Sequence, residues 1–294
     1  MTKLLPDRYT QADFFAADIT NVGLKDDIHS MESPLFTLSK NTDTQSRLYE
    51  HNGNTVEIQP GIKGMPTQWD KDIILFLASQ VTEGLNRKRS DAEKRVVQFR
   101  VYDYCLATNR KTSGREYEAL RDGLERIDAQ RIRTNVVTGG VRRIDSFGLI
   151  NGWSIIEKSA TDNKMIAVQV ILSDWLHSAL QAREVLTLHN DYFRLSSSLD
   201  RRLYELARKH CGKQASWSVS MAVLHKKSGS TDLLRRFRAA VKKTAESNPL
   251  PAYTLTVNIE SDIVTFNNRT PQSALPDKFV EFFQEHAVQP RSRG

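Results

Sequence analysis

Residues 191–244 constrain the fold more than any other stretch. They read DYFRLSSSLDRRLYELARKHCGKQASWSVSMAVLHKKSGSTDLLRRFRAAVKKT. Leu199, Leu203, Leu206 and Ala207 recur at helical spacing over residues 197–210, and Gly212 supplies a stop. Residues 217–224 form a second helix or a strand entering one. A third helix, opening after Ser228, Gly229 and Ser230, turns Leu234, Phe237 and Val241 inward. Its other face carries Arg235, Arg236, Lys242 and Lys243, with only Asp232 against them. Pro249 and Pro251 end it. Residues 253–258 and 263–267 alternate apolar and polar, which predicts a hairpin across 260–262.

Helix, helix, helix and hairpin is the order of a winged helix-turn-helix. A helix buried on one side and cationic on the other suits a duplex groove. A solvated basic face is the alternative reading of the same charges.

The same plan stands earlier in the chain. Thr67, with Asp70 three residues on, caps a helix that runs to Asn86 through Ile73, Ile74, Leu77, Val81 and Leu85. A strand at 96–99 and a helix at 101–107 follow. Ser113-Gly114-Arg115-Glu116 is a Ser-x-x-Glu capping box for a third helix. That helix is apolar at Tyr117, Leu120, Leu124 and Ile127, and carries Arg115, Asp122 and Arg126 opposite. Strands are expected at 131–137, 146–158 and 165–172, with a basic tip at Arg142 and Arg143. The expected fold is therefore α+β, two winged helix-turn-helix domains in tandem at 56–188 and 189–270. A flexible acidic arm (1–55) precedes them and a tail (271–294) follows. In that tail Phe279, Phe282 and Phe283 suggest an amphipathic helix.

Charge sharpens this reading. The chain has 294 residues and a net charge of +7. Residues 1–55 hold five Lys/Arg against eight Asp/Glu, and the remainder 37 against 27, hence −3 and +10. A basic body with an acidic arm fits a polyanionic partner. Within the arm, residues 31–40 (MESPLFTLSK) cluster Pro34, Leu35, Phe36 and Leu38. This cluster docks on the chain's own body or on another protein; self-docking is the favoured reading.

No run of about 18 apolar residues is present, so no membrane partner is expected. The first residues lack the apolar stretch and small-residue cleavage site of a secretory signal. With two cysteines, Cys105 and Cys211, no disulfide framework arises, and a cytoplasmic setting is expected. There is no G-x-x-x-x-G-K-[ST] or G-x-G-x-x-G phosphate cradle. His-x-His pairs are missing, and His210-Cys211 has no second Cys or His at a finger spacing, so it reads as helix-end packing rather than a metal site. No enzyme, metal or cofactor is expected.

The stretches MESPLFTLSK (31–40), WDKDII (69–74), ATNR (107–110), SDW (173–175), EVLTL (184–188), DYFRL (191–195), DRRLYELARKHCG (200–212) and KSGS (227–230) resemble the plasmid replication initiator protein RepA family, also called replication initiator protein A. The resemblance spans about residues 31–266. It implies a protein that binds repeated sites (iterons) in double-stranded plasmid origin DNA. By wider analogy with tandem winged-helix initiators, it implies origin opening, recruitment of a host initiator and replicative helicase, and dimerisation for autoregulation.

On this reading each third helix enters a major groove. The first module presents Ser113, Arg115, Arg121 and Arg126, with Arg142 and Arg143 in its wing. The second presents Lys226, Lys227, Ser228, Ser230, Arg235, Arg236, Arg238, Lys242 and Lys243, with a wing near 267–269. Arginines pair with guanine, lysines meet phosphate, and serines at helix starts cradle phosphate. A salt bridge to Glu118 or Glu125 is the alternative for Arg121, and Arg201, Arg202 and Lys209 bind phosphates or are simply solvated. Modules one helical turn apart predict a site near 20 bp. A winged-helix repressor without an initiation role fits the same bulk features, as does a scaffold that binds protein through the basic face.

Overall fold

The computed structural model describes residues 4–8, 14–17, 34–51, 54–138, 141–157, 165–182 and 185–270. The expected tail helix lies outside them. The first part runs β1 (Phe14–Ala17), β2 (Arg47–His51), β3 (Asn54–Gln59), α1 (Lys71–Asn86), β4 (Val96–Phe99), α2 (Val101–Ala107), α3 (Gly114–Ala129), β5 (Arg131–Thr138), β6 (Val141–Phe147), β7 (Ile150–Glu157) and β8 (Met165–Leu172). The second runs α4 (Asp174–Gln181), β9 (Val185–Leu188), α5 (Ser198–His210), β10 (Ser216–Ser220), α6 (Met221–Ser228), α7 (Leu234–Ser247), β11 (Tyr253–Asn258) and β12 (Ile263–Asn268).

Helices and antiparallel sheets are segregated, and one arrangement occurs twice. In the first module α1, β4, α2 and α3 lead to β7 and β8, and the sheet order is β4-β8-β7. In the second, α5, β10, α6 and α7 lead to β11 and β12, and the order is β10-β12-β11. Each time, the strand between the first two helices pairs with the last strand of the module. The stretch 217–224 is thus both a strand and a helix: β10 takes Trp217 to Ser220, and Ser220 caps α6 by accepting from the Val223 N–H.

The first module also carries an inserted sheet of order β2-β3-β5-β6. The single strand expected at 146–158 is in fact two strands in two sheets. Leu149 and Ile150 are both buried, which breaks the alternation, so the chain crosses from β6 to β7 there. Phe147 ends β6 stacked on Trp175 at 4.7 Å.

One hydrophobic core joins both modules. At its centre α1 buries Ile73, Ile74, Leu75, Phe76, Leu77, Ala78 and Val81, more than one face of the helix. It packs on α2, α3, α4, β1 and β4. Thr67 and Asp70 do bond, the Thr67 N–H and hydroxyl donating to Asp70 Oδ2 at 2.7 and 3.0 Å and the Asp70 N–H to Thr67 Oγ1 at 3.3 Å. But α1 starts at Lys71 with Asp70 as its N-cap residue, so Thr67 closes the turn ahead of the helix instead of capping it.

The described parts of the N-terminal 55 residues are not a free arm. β1 pairs antiparallel with β9, the strand between the modules. The Leu5 N–H donates to the Arg194 carbonyl and the Leu5 carbonyl accepts from the Arg194 side-chain Nε, both at 2.7 Å, while Arg8 donates twice to Asn109, at 2.9 and 2.6 Å. Residues 34–47 form a strap. Leu35 and Phe36 are 7% and 3% exposed, and burying such side chains contributes about 1.5–3 kcal/mol each. The Leu35 carbonyl accepts from Gln130 at 2.9 Å in the first module, and the Leu38 carbonyl from Ser198 at 2.7 Å in the second. Self-docking of the apolar cluster is therefore what the structure shows for residues 34–38.

Candidate nucleic-acid interface

In the second module α7 is anchored by Phe237 and Val241, both buried, while Leu234 is half-buried. Arg235, Arg236 and Lys243 stand exposed, and Lys242 is half-exposed. The helix has no acid in its first turn, and its N-cap residue, Leu233, supplies no side-chain bond. The first-turn N–H groups and these cations together make an anion-facing surface.

The turn before α7 differs from expectation. Ser228 is the last residue of α6, buried, with its hydroxyl donating to the His225 carbonyl at 2.7 Å. Ser230 lies ahead of α7 and accepts from the Asp232 N–H at 3.3 Å, while its own N–H donates to Ser228 Oγ at 3.2 Å. Short side chains bond nearby backbone first, so neither serine stands at the start of α7 to cradle phosphate. Lys226 is exposed, and Lys227 is half-buried with Nζ 3.5 Å from His210 Nε2. His210 stacks on Trp217 at 4.4 Å and Cys211 is buried beneath Phe266, so this pair packs the end of α5.

Arg238 is drawn aside. Its Nε and Nη2 donate to Asp262 Oδ1 and Oδ2 at 2.8 and 2.7 Å, and these two hydrogen bonds from Arg238 hold the Asp262 carboxyl below its ordinary range. Asp262 closes the β11–β12 turn, residues 259–262, which is the true tip of the hairpin. The wing expected near 267–269 lies at the opposite end, where the Asn268 and Arg269 N–H groups donate to Ala215 and Ala252. The tip holds Ile259, 73% exposed, and Glu260, and has no cation of its own.

In the first module α3 shows Arg115 and Arg121 exposed. Ser113 is the N-cap residue, but it accepts no side-chain cap bond and the capping box does not close. Glu116 is drawn off to Arg110 Nη1 at 3.1 Å. Arg126 does not face outward either: its Nε and Nη2 each reach Asp70 at 2.8 Å, and these bonds raise the Arg126 pKa. Arg142 and Arg143 lie on β6, opposite Val137 and Val136, in the inserted sheet. The hairpin at the place that β11–β12 takes in the second module is β7–β8, and these two arginines are not on it.

Helix α5, the first of the second module, holds the largest departure. Arg201 and Arg202 are neither phosphate ligands nor solvated. Arg201 is buried, with Nη1 2.6 Å from Asp72 Oδ1, Nε 3.0 Å from the Leu195 carbonyl, and its guanidinium 3.9 Å over the Trp69 ring. Asp72 also accepts from Arg110 at 3.0 Å. Beside it Lys71 Nζ lies 2.7 Å from Glu205 Oε2, which Arg202 also reaches at 3.3 Å, and Tyr192 donates to Glu205 Oε1 at 2.6 Å. Burial pushes the Glu205 carboxyl up, but the Lys71 and Arg202 charges outweigh it and hold it low. Burial raises the Tyr204 hydroxyl to about 12; it accepts from the His189 N–H at 2.8 Å.

These contacts join α1 of one module to α5 of the other. Composition and spacing did not mark them. The signal that could have done so was the set of motifs itself: WDKDII, ATNR, DYFRL and DRRLYELARKHCG supply Lys71, Asp72, Arg110, Tyr192, Arg201, Arg202 and Glu205 to this one junction.

The chain is thus a mixed α/β protein of two like modules, fused through a charged junction and presenting basic helix faces. The replication initiator protein A family model matches residues 25–255, and the chain belongs to that family. A putative replication protein of Wigglesworthia glossinidia brevipalpis is 37% identical over 257 residues, covering 87% of this chain and 93% of that protein. Two crystal structures of RctB domains 2 and 3 share the fold at 14% identity. One has a TM-score of 0.58 over 79% of this chain and 93% of its own, the other 0.55 over 76% and 90%.

Proposed function

We propose that this replication initiator is a sequence-specific binder of double-stranded DNA, built from two winged helix-turn-helix modules, that reads origin repeats (iterons) on a plasmid. The observation that carries the reading is α7: Phe237 and Val241 are buried while Arg235, Arg236 and Lys243 are exposed on a helix without first-turn acids. Such a helix can enter a major groove and offer bidentate donors to guanine. The repeated helix and sheet order supports a second reader of the same kind, with α3 presenting Arg115 and Arg121. Lys226 on α6 and Lys242 on α7 itself serve as phosphate contacts. The role is one of binding, in the cytoplasm, without a catalytic step or cofactor. Origin opening, dimerisation and recruitment of a host initiator and helicase belong to this proposal as the family resemblance implies them.

The test is a binding titration on the cognate origin repeats against scrambled DNA of equal length at two salt concentrations. Origin-specific binding that weakens steeply with salt and is lost in Arg235→Ala/Arg236→Ala supports the reading. Equal binding to scrambled DNA reduces the protein to a non-specific basic binder. No binding by the folded protein overturns the reading.

A further inference from the structure

We propose that the junction between the modules is a ruler: it fixes the separation of the two DNA-reading helices, so the protein selects the spacing of its half-sites as well as their sequence. The inference deepens the DNA-binding reading above and rests on it. Two modules joined by a flexible linker would tolerate changes in spacing, because the linker takes up the difference. Among the described residues the connection is not such a linker. The connection runs through α4, β9 and the turn at Asn190–Arg194, where Leu188, Tyr192, Phe193 and Leu195 are buried. β9 is itself paired with β1.

Three further ties cross the junction. The first is the ion-pair set Asp72–Arg201 and Lys71–Glu205. The second is the strap. Arg47 holds it in place, donating to the Gly229 carbonyl at 3.0 Å and to Asp43 at 2.6 Å, and Lys71 lies over the Phe36 ring at 5.7 Å. The third is the segment at Leu5–Arg8, bonded to Arg194 on one side and Asn109 on the other. Lys71 is the node, touching the second module through Glu205 and the strap through Phe36. Directional ion pairs and hydrogen bonds fix one orientation, whereas an apolar contact of the same area permits sliding.

The experiment uses the full chain and duplexes carrying the origin repeat with 1 to 5 bp inserted between its halves. A 5 bp insertion rotates one half-site by about half a turn of DNA. The rigid wild-type protein then loses the second module's contribution, about 10²–10⁴-fold in affinity. Lys71→Ala/Arg47→Ala leaves Glu205 its bonds from Arg202 and Tyr192, so the fold is retained, which thermal unfolding checks. This variant is expected to bind the native spacing within a few-fold of wild type and to lose measurably less affinity on insertion than wild type does, the remaining ties at Asp72–Arg201, β1–β9 and Leu5–Arg8 being intact. Wild-type binding that is indifferent to spacing overturns the ruler while leaving the DNA-binding reading intact. A folded variant as spacing-dependent as wild type overturns the assignment to Lys71 and Arg47. Failure of wild type to bind at any spacing overturns the DNA-binding reading itself.

Discussion

Asp72 Oδ1 and Arg201 Nη1 lie 2.6 Å apart, each side chain at most 2% exposed, and they belong to different modules. A buried pair of this kind adds little over an apolar one, but removing one partner strands the other in a medium that cannot solvate it. Arg201→Ala is therefore expected to destabilise the protein by about 3–5 kcal/mol, toward the lower figure because Asp72 keeps Arg110 at 3.0 Å. Urea unfolding of the purified variant measures this, and a loss below 1 kcal/mol would show the pair to be structurally idle.

Gly229 ends α6 at φ +70°, in the left-handed region, and a Cβ built there would fall 2.1 Å from Pro34 Cγ. Both facts weigh against any other residue. Gly229→Ala is expected to cost about 1–2 kcal/mol for the backbone alone, and more if the strap must move. Protection of the strap amides in hydrogen exchange should fall with it. Unchanged protection would mean that Pro34 adapts without releasing the strap.

Glu205 sets part of the acid sensitivity. Its folded pKa lies below the ordinary value of 4.5, despite burial, because Lys71 and Arg202 favour the carboxylate. A depressed carboxyl contributes stability that is present above the unfolded value and lost as pH falls through the folded one. Stability is thus expected to drop as pH falls below about 4.5, and Glu205→Gln should flatten that slope while lowering stability at neutral pH. Urea midpoints at pH 7 and across the acid range test both parts; an unchanged acid slope in the variant rejects the assignment.

Much of the fold was legible in the sequence because periodicity reports which face of an element is buried. The faces at Phe237 and Val241, or at Leu120, Leu124 and Ile127, are local facts. What was not legible depends on partners far along the chain. Arg126 and Arg238 were read as outward cations, but Asp70 and Asp262, 56 and 24 residues away, claim them. Arg201 sits on a helix whose sequence reads as basic, yet Asp72 draws it into the core. Charge counts place cations on a surface by default, and only tertiary pairing overrules that default. The inserted sheet was missed for a related reason: β5 pairs with β3 and β6 while β7 joins β8, and nothing local tells which sheet a strand joins.

The same pairing separates the candidate DNA contacts on α7. Arg235 and Arg236 are exposed, whereas Arg238 is occupied by Asp262. Arg235→Ala and Arg236→Ala are each expected to weaken origin binding by about 1–3 kcal/mol if they reach base edges, with specificity relaxed at the contacted position. A phosphate contact would behave differently, lowering affinity for all sequences alike and reducing the salt slope by about 0.9 per contact. Arg238→Ala should change binding less than either, since its guanidinium holds the wing tip rather than DNA. Titrations of the three variants on cognate and scrambled duplexes, at two salt concentrations, distinguish these roles. If Arg238→Ala proves the most damaging, then Asp262 releases that arginine when DNA binds, and the wing, not the exposed face of α7, governs recognition.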